Sequence, residues 1–497
     1  MPGGHGSSLA DPGESMTREP TETSLAPRVV VDGGVPIHLY VDERIEPDQR
    51  AVDQLGTLSR VPGVAGPVVA LPDIHYKGRN PSPTGTVVAV EAAVVPKALD
   101  AGLNCGMRVH LLDLTRDEVG RDGLERLFAR IRELVPTGWH DEPTLGDDDL
   151  DAVLAVGASW VIERHDGRGG PVTRIENRGR LATVEPRRVV NGLLRRRARR
   201  GLGVLGGGNH FLEVHVVEEA LDERAAALGL REGRLLVMLH SGSGVVGKTL
   251  GLYFGPRNET VGRRHGQFLA EKAAYHVRAR GLSRDLLPYA RRDGFTVLST
   301  DAPEGRRFLA AQAAAANFGY ANRAALGGNV EQAVADVFGA GASLLTDVSH
   351  NLVQRERHDG REVFVHRQGA SRALDAAYVD PEGPFEATGQ PFPVPGSMGA
   401  AAYICLAGPD AGAAFRSANH GAGRLLDKPE ARGAFTEGGV RDELSAQSIL
   451  LFKEGKGLLE EQAPGAFKDV TAVIDVMTRT GIALPAARTQ PLAVLKG

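Results

Sequence analysis

The sequence predicts a mixed α/β (α+β) fold, and three features lead to it. Runs of strand length rich in Val, Ala and Leu recur along the chain. Segments with helical spacing of apolar and charged residues are interspersed among them. No internal repeat and no heptad pattern organises either kind. The chain is also read as lacking a P-loop and a dinucleotide-binding fingerprint.

Residues 1–27 are rich in Gly, Ser, Pro, Glu and Thr, and their few large apolar side chains cannot offset ordering entropy. They are expected to form a disordered tail ahead of one large domain, 28–497. Strands are expected at 28–31, 66–72, 86–95, 235–239, 343–348 and 363–366, with a polar loop at 73–85. Helical spacing covers 116–135, 217–232, 265–280, 308–325 and 329–338. Polar residues of functional type fall where strands give way to loops.

A chain of 497 residues can bury a large core. Its net charge of −4 supplies no global basic field, so contact with nucleic acid would need a local patch. Aromatics at 5% leave little capacity for base stacking. Two cysteines, Cys105 and Cys405, make no disulfide framework and fit a reducing cytoplasm. No uncharged apolar run reaches the roughly 18 residues that a membrane span needs, so no membrane association is expected.

Six segments place a potential ligand at the end of an apolar run or beside glycine. They are Asp73 and His75 in PDIHYKGRNPSPTG, Cys105 in LNCGMR, Asn209 and His210 in LGGGNHFLEV, His240 in VMLHSGSG, His350 in DVSHN and His420 in NHGAGR. A single histidine of this kind is more often a hydrogen-bonded structural residue. Six together point to a site. Glycine lets backbone N–H groups approach phosphate, and a thiolate with several imidazoles suits a borderline transition metal such as Mn, Zn, Co or Fe. The spacing is no local zinc signature, so the ligands would have to converge in space. Cys405, inside AAAYICLAG, reads as a core residue.

The strings PDIH, NCG, GGGNHFLEV, HSGSG, HNLVQRE with VHRQGASRA, PGSMG, HGAGR, APGAFKDV and PLAVLKG occur in this order from about residue 70 to residue 497. The ordered set resembles the RtcB family of RNA-splicing ligases. The resemblance implies mixed sheets around a central metal and GTP pocket, and a GTP- and Mn²⁺-dependent RNA ligase. Such an enzyme joins an RNA 3′-phosphate, or 2′,3′-cyclic phosphate, to a 5′-hydroxyl. By the same resemblance His420 takes GMP covalently, and Cys105, His210, His240 and His350 hold one or two metal ions. Asn209, Phe211, Glu213, Ser397 and Lys496 would recognise guanosine, with Phe467 where the family usually has Tyr. Gly421, Gly423 and Arg424 would surround phosphate, and Asp73 and His75 would support the metal site. RNA would meet Arg196, Arg197 and Arg200 at the rim, where a solvated helix face is the rival reading. His366, Arg367 and Arg372 are further candidates for phosphate, and archease is a possible activating partner.

Two departures stand out. Gly102 replaces an aspartate ligand of the family's D-x-x-C, with Asp100 two positions away. Gly244 replaces a phosphate-binding arginine, and Asp427-Lys428 follows HGAGR where a Ser-Arg pair is usual. They keep two alternatives open: a metal-dependent phosphoesterase or RNA 3′-end guanylyl-capping enzyme, and a non-catalytic RNA-end binding protein.

Overall fold

The computed structural model describes residues 25–78, 80–182, 185–255, 265–280, 294–455 and 457–497. The expected tail lies outside the described residues up to position 24, and the Leu25 N–H already donates to the Arg479 carbonyl at 3.0 Å. Two large sheets carry the mixed α/β architecture that the sequence predicts. One has six strands in the order Arg28–Val30, Ile37–Leu39, Val68–His75, Thr84–Val90, Arg361–Gln368 and Asn351–His358. The other has eight. Seven follow the order Ala342–Ser349, Gly106–Thr115, Arg234–Ser241, Phe211–Ala220, Ala483–Lys496, Ala402–Ala407 and Phe392–Val394, and Leu450–Lys453 pairs parallel to Ala483–Lys496.

Register decides what meets at the strand ends. Gly106 pairs with both Ser241 and Ser349, which brings Cys105 beside the strands that carry His240 and lead into His350. Phe211 pairs with both His240 and Lys496, so His210 joins them. His350 is the one residue between the last position of a strand in one sheet and the first position of a strand in the other. The chain changes sheets at that histidine.

Helix Pro303–Phe338 runs 36 residues where two shorter helices were expected; it opens with Pro near its start and ends at Gly339 in the left-handed region. Its Ala- and Gly-rich surface is buried nearly all round, which lets neighbours press close. A Cβ at Gly327 would lie 2.6 Å from His110 Nε2. The glycines at 327 and 328 therefore serve packing and do not end the helix. In the midst of this apolar rod Arg323 donates from Nε to Asp347 Oδ1 at 2.9 Å, while Arg108 Nε reaches Asp347 Oδ2 at 2.8 Å; all three side chains are fully buried.

Three local expectations change. The segment 217–232 is not a helix: strand Phe211–Ala220 runs through its start and only Arg224–Ala227 is helical. Exposed Glu218 and Glu219, at the protruding end of that strand, imitate helical charge spacing. The strand expected at 86–95 breaks after Val90, where Ala92 takes φ 49°, and resumes at Ala93–Val94. The loop at 73–85 is shorter, because one strand extends through His75 and the next begins at Thr84. No described helix is long and apolar enough to cross a membrane.

Replacing Asp347 with Asn leaves two buried guanidinium groups without their counter-charge. Urea unfolding should show a loss of about 3–5 kcal/mol. Asp380→Asn, which breaks the exposed pair with Arg178, should cost no more than about 1 kcal/mol.

Candidate functional site

A cavity of about 410 Å³ opens where these strand ends meet. On its wall Cys105 Sγ lies 3.1 Å from His240 Nε2 and 3.4 Å from His210 Nε2, and His240 Nε2 lies 3.3 Å from His350 Nε2. The donor atoms of Cys105, His240 and His350 all fall within 4.8 Å of one another. His210 Nδ1 sits 2.9 Å from the Leu205 carbonyl and so carries the proton, leaving the Nε2 lone pair aimed at the thiol. Burial holds His240 and His350 well below the usual histidine range and His210 down to about 4, so all three are neutral near pH 7. Desolvation pushes the Cys105 thiol up to about 12, opposed by the nearby Arg323 charge.

This donor set fits a transition metal. The sulfur of Cys105 converges with the imidazole nitrogens of His240 and His350, with His210 Nε2 against the same sulfur, and a divalent cation would lower the thiol pKa and take the place of its proton. The convergence that spacing could not establish is thus present in the fold.

The His420 ring lies tilted against that of His350, with centroids 4.7 Å apart. Its Nδ1 is 2.7 Å from Oδ2 of Asp73, a fully buried carboxylate, so Nδ1 bears the proton and Nε2 keeps its lone pair. Gly423, at φ 78°, closes this turn: a Cβ there would stand 2.3 Å from the Asp73 carbonyl oxygen. His75 Nδ1 contacts the same carbonyl at 2.8 Å and lies 3.4 Å from the Arg424 nitrogen. Asp73 and His75 therefore brace the His420 turn, whereas support of a metal ligand was expected.

Asn209, Phe211, Glu213, Ser397, Gly421, Gly423, Arg424, Phe467 and Lys496 line this same cavity. Glu213 Oε2 is held 3.0 Å from His215 Nε2. The Lys496 ammonium sits 5.6 Å over the Phe211 ring and feels the Glu213 charge, while burial lowers it to about 8. The Arg424 guanidinium lies 4.8 Å over the Phe467 ring, and its Nη1 is buried without a hydrogen-bond partner.

Other candidates lie elsewhere. Arg196, Arg197 and Arg200 do not line the cavity; Arg197 faces Glu271 at 3.8 Å, and its neighbour Arg195 is committed to Asp147 and Asp151. His366 is fully buried, with Nε2 accepting from the Val95 N–H at 2.8 Å. Arg367 is also buried, against Glu356 and Ser417. Neither reaches the cavity, which corrects the expectation of phosphate contact. Arg372 turns toward Glu356 and Glu176 and lines a second cavity.

Arg323 and the string at 242–249 were not expected at the site, and Asp100 was expected there only as a displaced carboxylate. Asp100, next to the altered Gly102 position, accepts from Lys77 Nζ at 3.0 Å and from the Ala101 N–H at 2.8 Å; it stands apart from the Cys/His cluster. Arg323 donates to the Asn104 carbonyl at 2.9 Å and the Ser241 carbonyl at 3.3 Å, next to Cys105 and His240. Its signal was a lone arginine in an Ala- and Gly-rich run. Gly242–Thr249 reads GSGVVGKT, so both G-x-x-x-x-G-K-T and G-x-G-x-x-G are spelled directly after a strand, contrary to the expectation that neither motif occurs. The helix here begins early, at Gly244, so no wide phosphate-wrapping loop forms, yet Lys248 lines the cavity.

A mixed α/β scaffold gathers a thiol, four imidazoles and a buried carboxylate at the junction of two sheets, beside a cavity of small-ligand size. That defines a protein with a Cys/His cluster of a kind that could hold a metal ion and an adjoining ligand pocket. The chain belongs to the RtcB family: the family model described as tRNA-splicing ligase RtcB matches residues 54–497. It is 33% identical to the tRNA-splicing ligase RtcB of Thermococcus kodakarensis, over 93% of this chain and 95% of the relative. It is 32% identical to the RNA-splicing ligase RtcB of Mycobacterium tuberculosis, over 89% of this chain and 100% of the relative.

Cys105→Ala should weaken binding of a divalent transition metal by about a hundredfold or more in calorimetric titration, since even residues that merely orient a ligand are worth about 10–100-fold. Cys405→Ala, in the core strand Ala402–Ala407, should leave that affinity unchanged.

Proposed function

We propose that this chain is a GTP- and Mn²⁺-dependent RNA ligase that joins 3′-phosphate or 2′,3′-cyclic phosphate ends to 5′-hydroxyl ends through a His420–GMP intermediate. The observation that carries this is the pairing of His420 Nδ1 with buried Asp73, which leaves Nε2 as a free nucleophile beside the Cys/His cluster. The names of the relatives, tRNA-splicing and RNA-splicing ligases, point to RNA as the substrate.

His420 Nε2 attacks the α-phosphorus of GTP, the bond to the bridging oxygen breaks, and pyrophosphate leaves. Asp73 balances the positive charge that spreads onto the ring. An RNA 3′-phosphate oxygen then attacks the phosphoramidate phosphorus. The P–N bond breaks, Nε2 regains its electron pair, and the 3′ end carries GMP in a pyrophosphate linkage. A cyclic phosphate enters after hydrolysis to the 3′-phosphate. Finally a 5′-hydroxyl attacks the RNA phosphorus, loses its proton and expels GMP. Manganese, one or two ions held by Cys105, His210, His240 and His350, would supply Lewis-acid polarisation of phosphate. Glu213 is suited to accept from the guanine N1–H and exocyclic amine, a pattern adenine lacks. Asn209, Phe211, Ser397, Phe467 and Lys496 complete the nucleoside side, with Gly421, Gly423 and Arg424 near phosphate. Arg196, Arg197 and Arg200 would meet RNA beyond the cavity, and archease would serve as activator. The commitment of Asp100 to Lys77, which leaves the cluster without a carboxylate, favours one second reading: a guanylyl-capping enzyme that stops before ligation.

With α-labelled GTP and Mn²⁺, the wild-type chain should retain covalent label and His420→Ala none. Asp73→Asn should slow labelling by about 10²–10⁴-fold. An unlabelled wild type overturns the proposal, and RNA with 3′-phosphate and 5′-hydroxyl ends then separates ligation from capping. The Lys496 ammonium is charged below about pH 8 and neutral above it, so GTP affinity should fall as pH rises through that value. In Lys496→Met the step should vanish from the binding profile.

A further inference from the structure

The nucleoside side and the Cys/His cluster leave one wall of the cavity without a role. It carries Lys77, Asp100, Gly102 and Lys248. This wall is built rigidly onto the cluster. Asn351, the neighbour of His350, clamps it with Nδ2 bonds to the Asp100 carbonyl at 3.0 Å and the Gly102 carbonyl at 2.7 Å, and its Oδ1 accepts from the Asp100 N–H at 3.1 Å. Helix Gly244–Phe254 packs directly on the same loop: a Cβ at Gly247 would fall 2.7 Å from the Leu103 carbonyl oxygen, and one at Gly251 would fall 2.5 Å from that of Ala101. Ser243 ties the start of this helix to Leu103 by a 2.5 Å bond. Lys248 projects from that helix, one turn after Gly244, and makes no ion pair among the described residues. Lys77 gives one N–H to Asp100 and has further donors to offer. The aromatic groups that would suit a base, Phe211 and Phe467, line the same cavity.

We infer that Lys77 and Lys248 form a phosphate-binding site on this wall of the cavity. It takes either the pyrophosphate part of the nucleotide or the terminal phosphate of an RNA 3′ end. The cation expected at position 244 is thereby supplied one helical turn later, and Asp100 holds the Lys77 ammonium at the cavity edge. This rests on the proposed function only for the identity of the phosphate carrier.

Three probes test it on the full-length protein: inorganic pyrophosphate, GTP against GMP, and single-stranded RNA ending in 3′-phosphate against 3′-hydroxyl. Lys77→Met and Lys248→Met should each lower affinity for the phosphate-bearing probe by about tenfold or more. GMP and 3′-hydroxyl RNA should bind as before. If RNA is the carrier, each variant should also reduce the magnitude of the slope of log affinity against log salt by about 0.7. Lys77→Arg and Lys248→Arg should restore binding, which a merely structural role would not require. A loss confined to pyrophosphate and GTP identifies the nucleotide as carrier, and a loss confined to 3′-phosphate RNA identifies the RNA end. The inference is overturned if the double methionine variant keeps its preference for phosphate in every pair. Labelling of His420 in the wild type is scored separately: its failure removes the proposed function, while a lost phosphate preference in the variants would still uphold the site.

Discussion

The site depends on one buried carboxylate shared by two guanidinium groups. Asp347 accepts from Arg108 with one oxygen and from Arg323 with the other, all without solvent. Such a cluster holds together only when each charge is met and the remaining donors are satisfied. Arg323 spends its other donors on the Asn104 and Ser241 carbonyls and on Asn104 Oδ1. Asn104 adjoins Cys105, Ser241 adjoins His240, and Asp347 lies on the strand that runs into His350. One arginine from the long helix thus ties together the three segments that present the thiol and two imidazoles. Removing it would loosen them all at once.

Around that anchor the cavity divides by charge. The cluster histidines His240 and His350 are buried and neutral, which keeps their lone pairs available. Cations stand at the periphery in Lys77, Lys248, Arg424 and Lys496. A polyanion is therefore drawn in from several sides, while the centre offers donors to a metal. The Asp73–His420 pair stands between the two regions. It belongs to neither, because its carboxylate is buried behind the ring that it orients.

The mixed α/β class and strands such as Val68–His75, Thr84–Val90 and Arg234–Ser241 could be read from apolar runs, since burial on both faces leaves unbroken stretches such as Val87–Val90, whereas Gly106–Thr115 and Ala483–Lys496 were not expected as strands and the long helix was expected as two. The site residues could be read as isolated candidates because polar groups at strand ends beside glycine are conspicuous. Their assembly could not. It follows from the register of Gly106 against Ser241 and Ser349, which no local string encodes. Charge runs misled in two places. Glu218 and Glu219 imitated a helix at the end of a strand, and arginine-rich 195–200 looked like a rim although Arg195 and Arg197 face acidic neighbours. GSGVVGKT spells two glycine motifs after a strand, yet its helix starts at Gly244 and leaves no phosphate-wrapping loop, and His366 and Arg367 looked available although the sheet encloses both.

The residues that build the centre come from six stretches between Asp73 and His420, and the cation-type donors alone span Cys105 to His350. Cys105, His210 and His240 meet at the ends of three neighbouring strands of the eight-stranded sheet, and His350 joins them from a fourth, so no single hairpin brings all four together. Folding of such a topology is governed by distant pairings and is slow for its size. A chain that ends before the strand Ala342–Ser349 therefore lacks the imidazole that completes the cluster. An ion that needed every one of these donors would report that this sheet had closed.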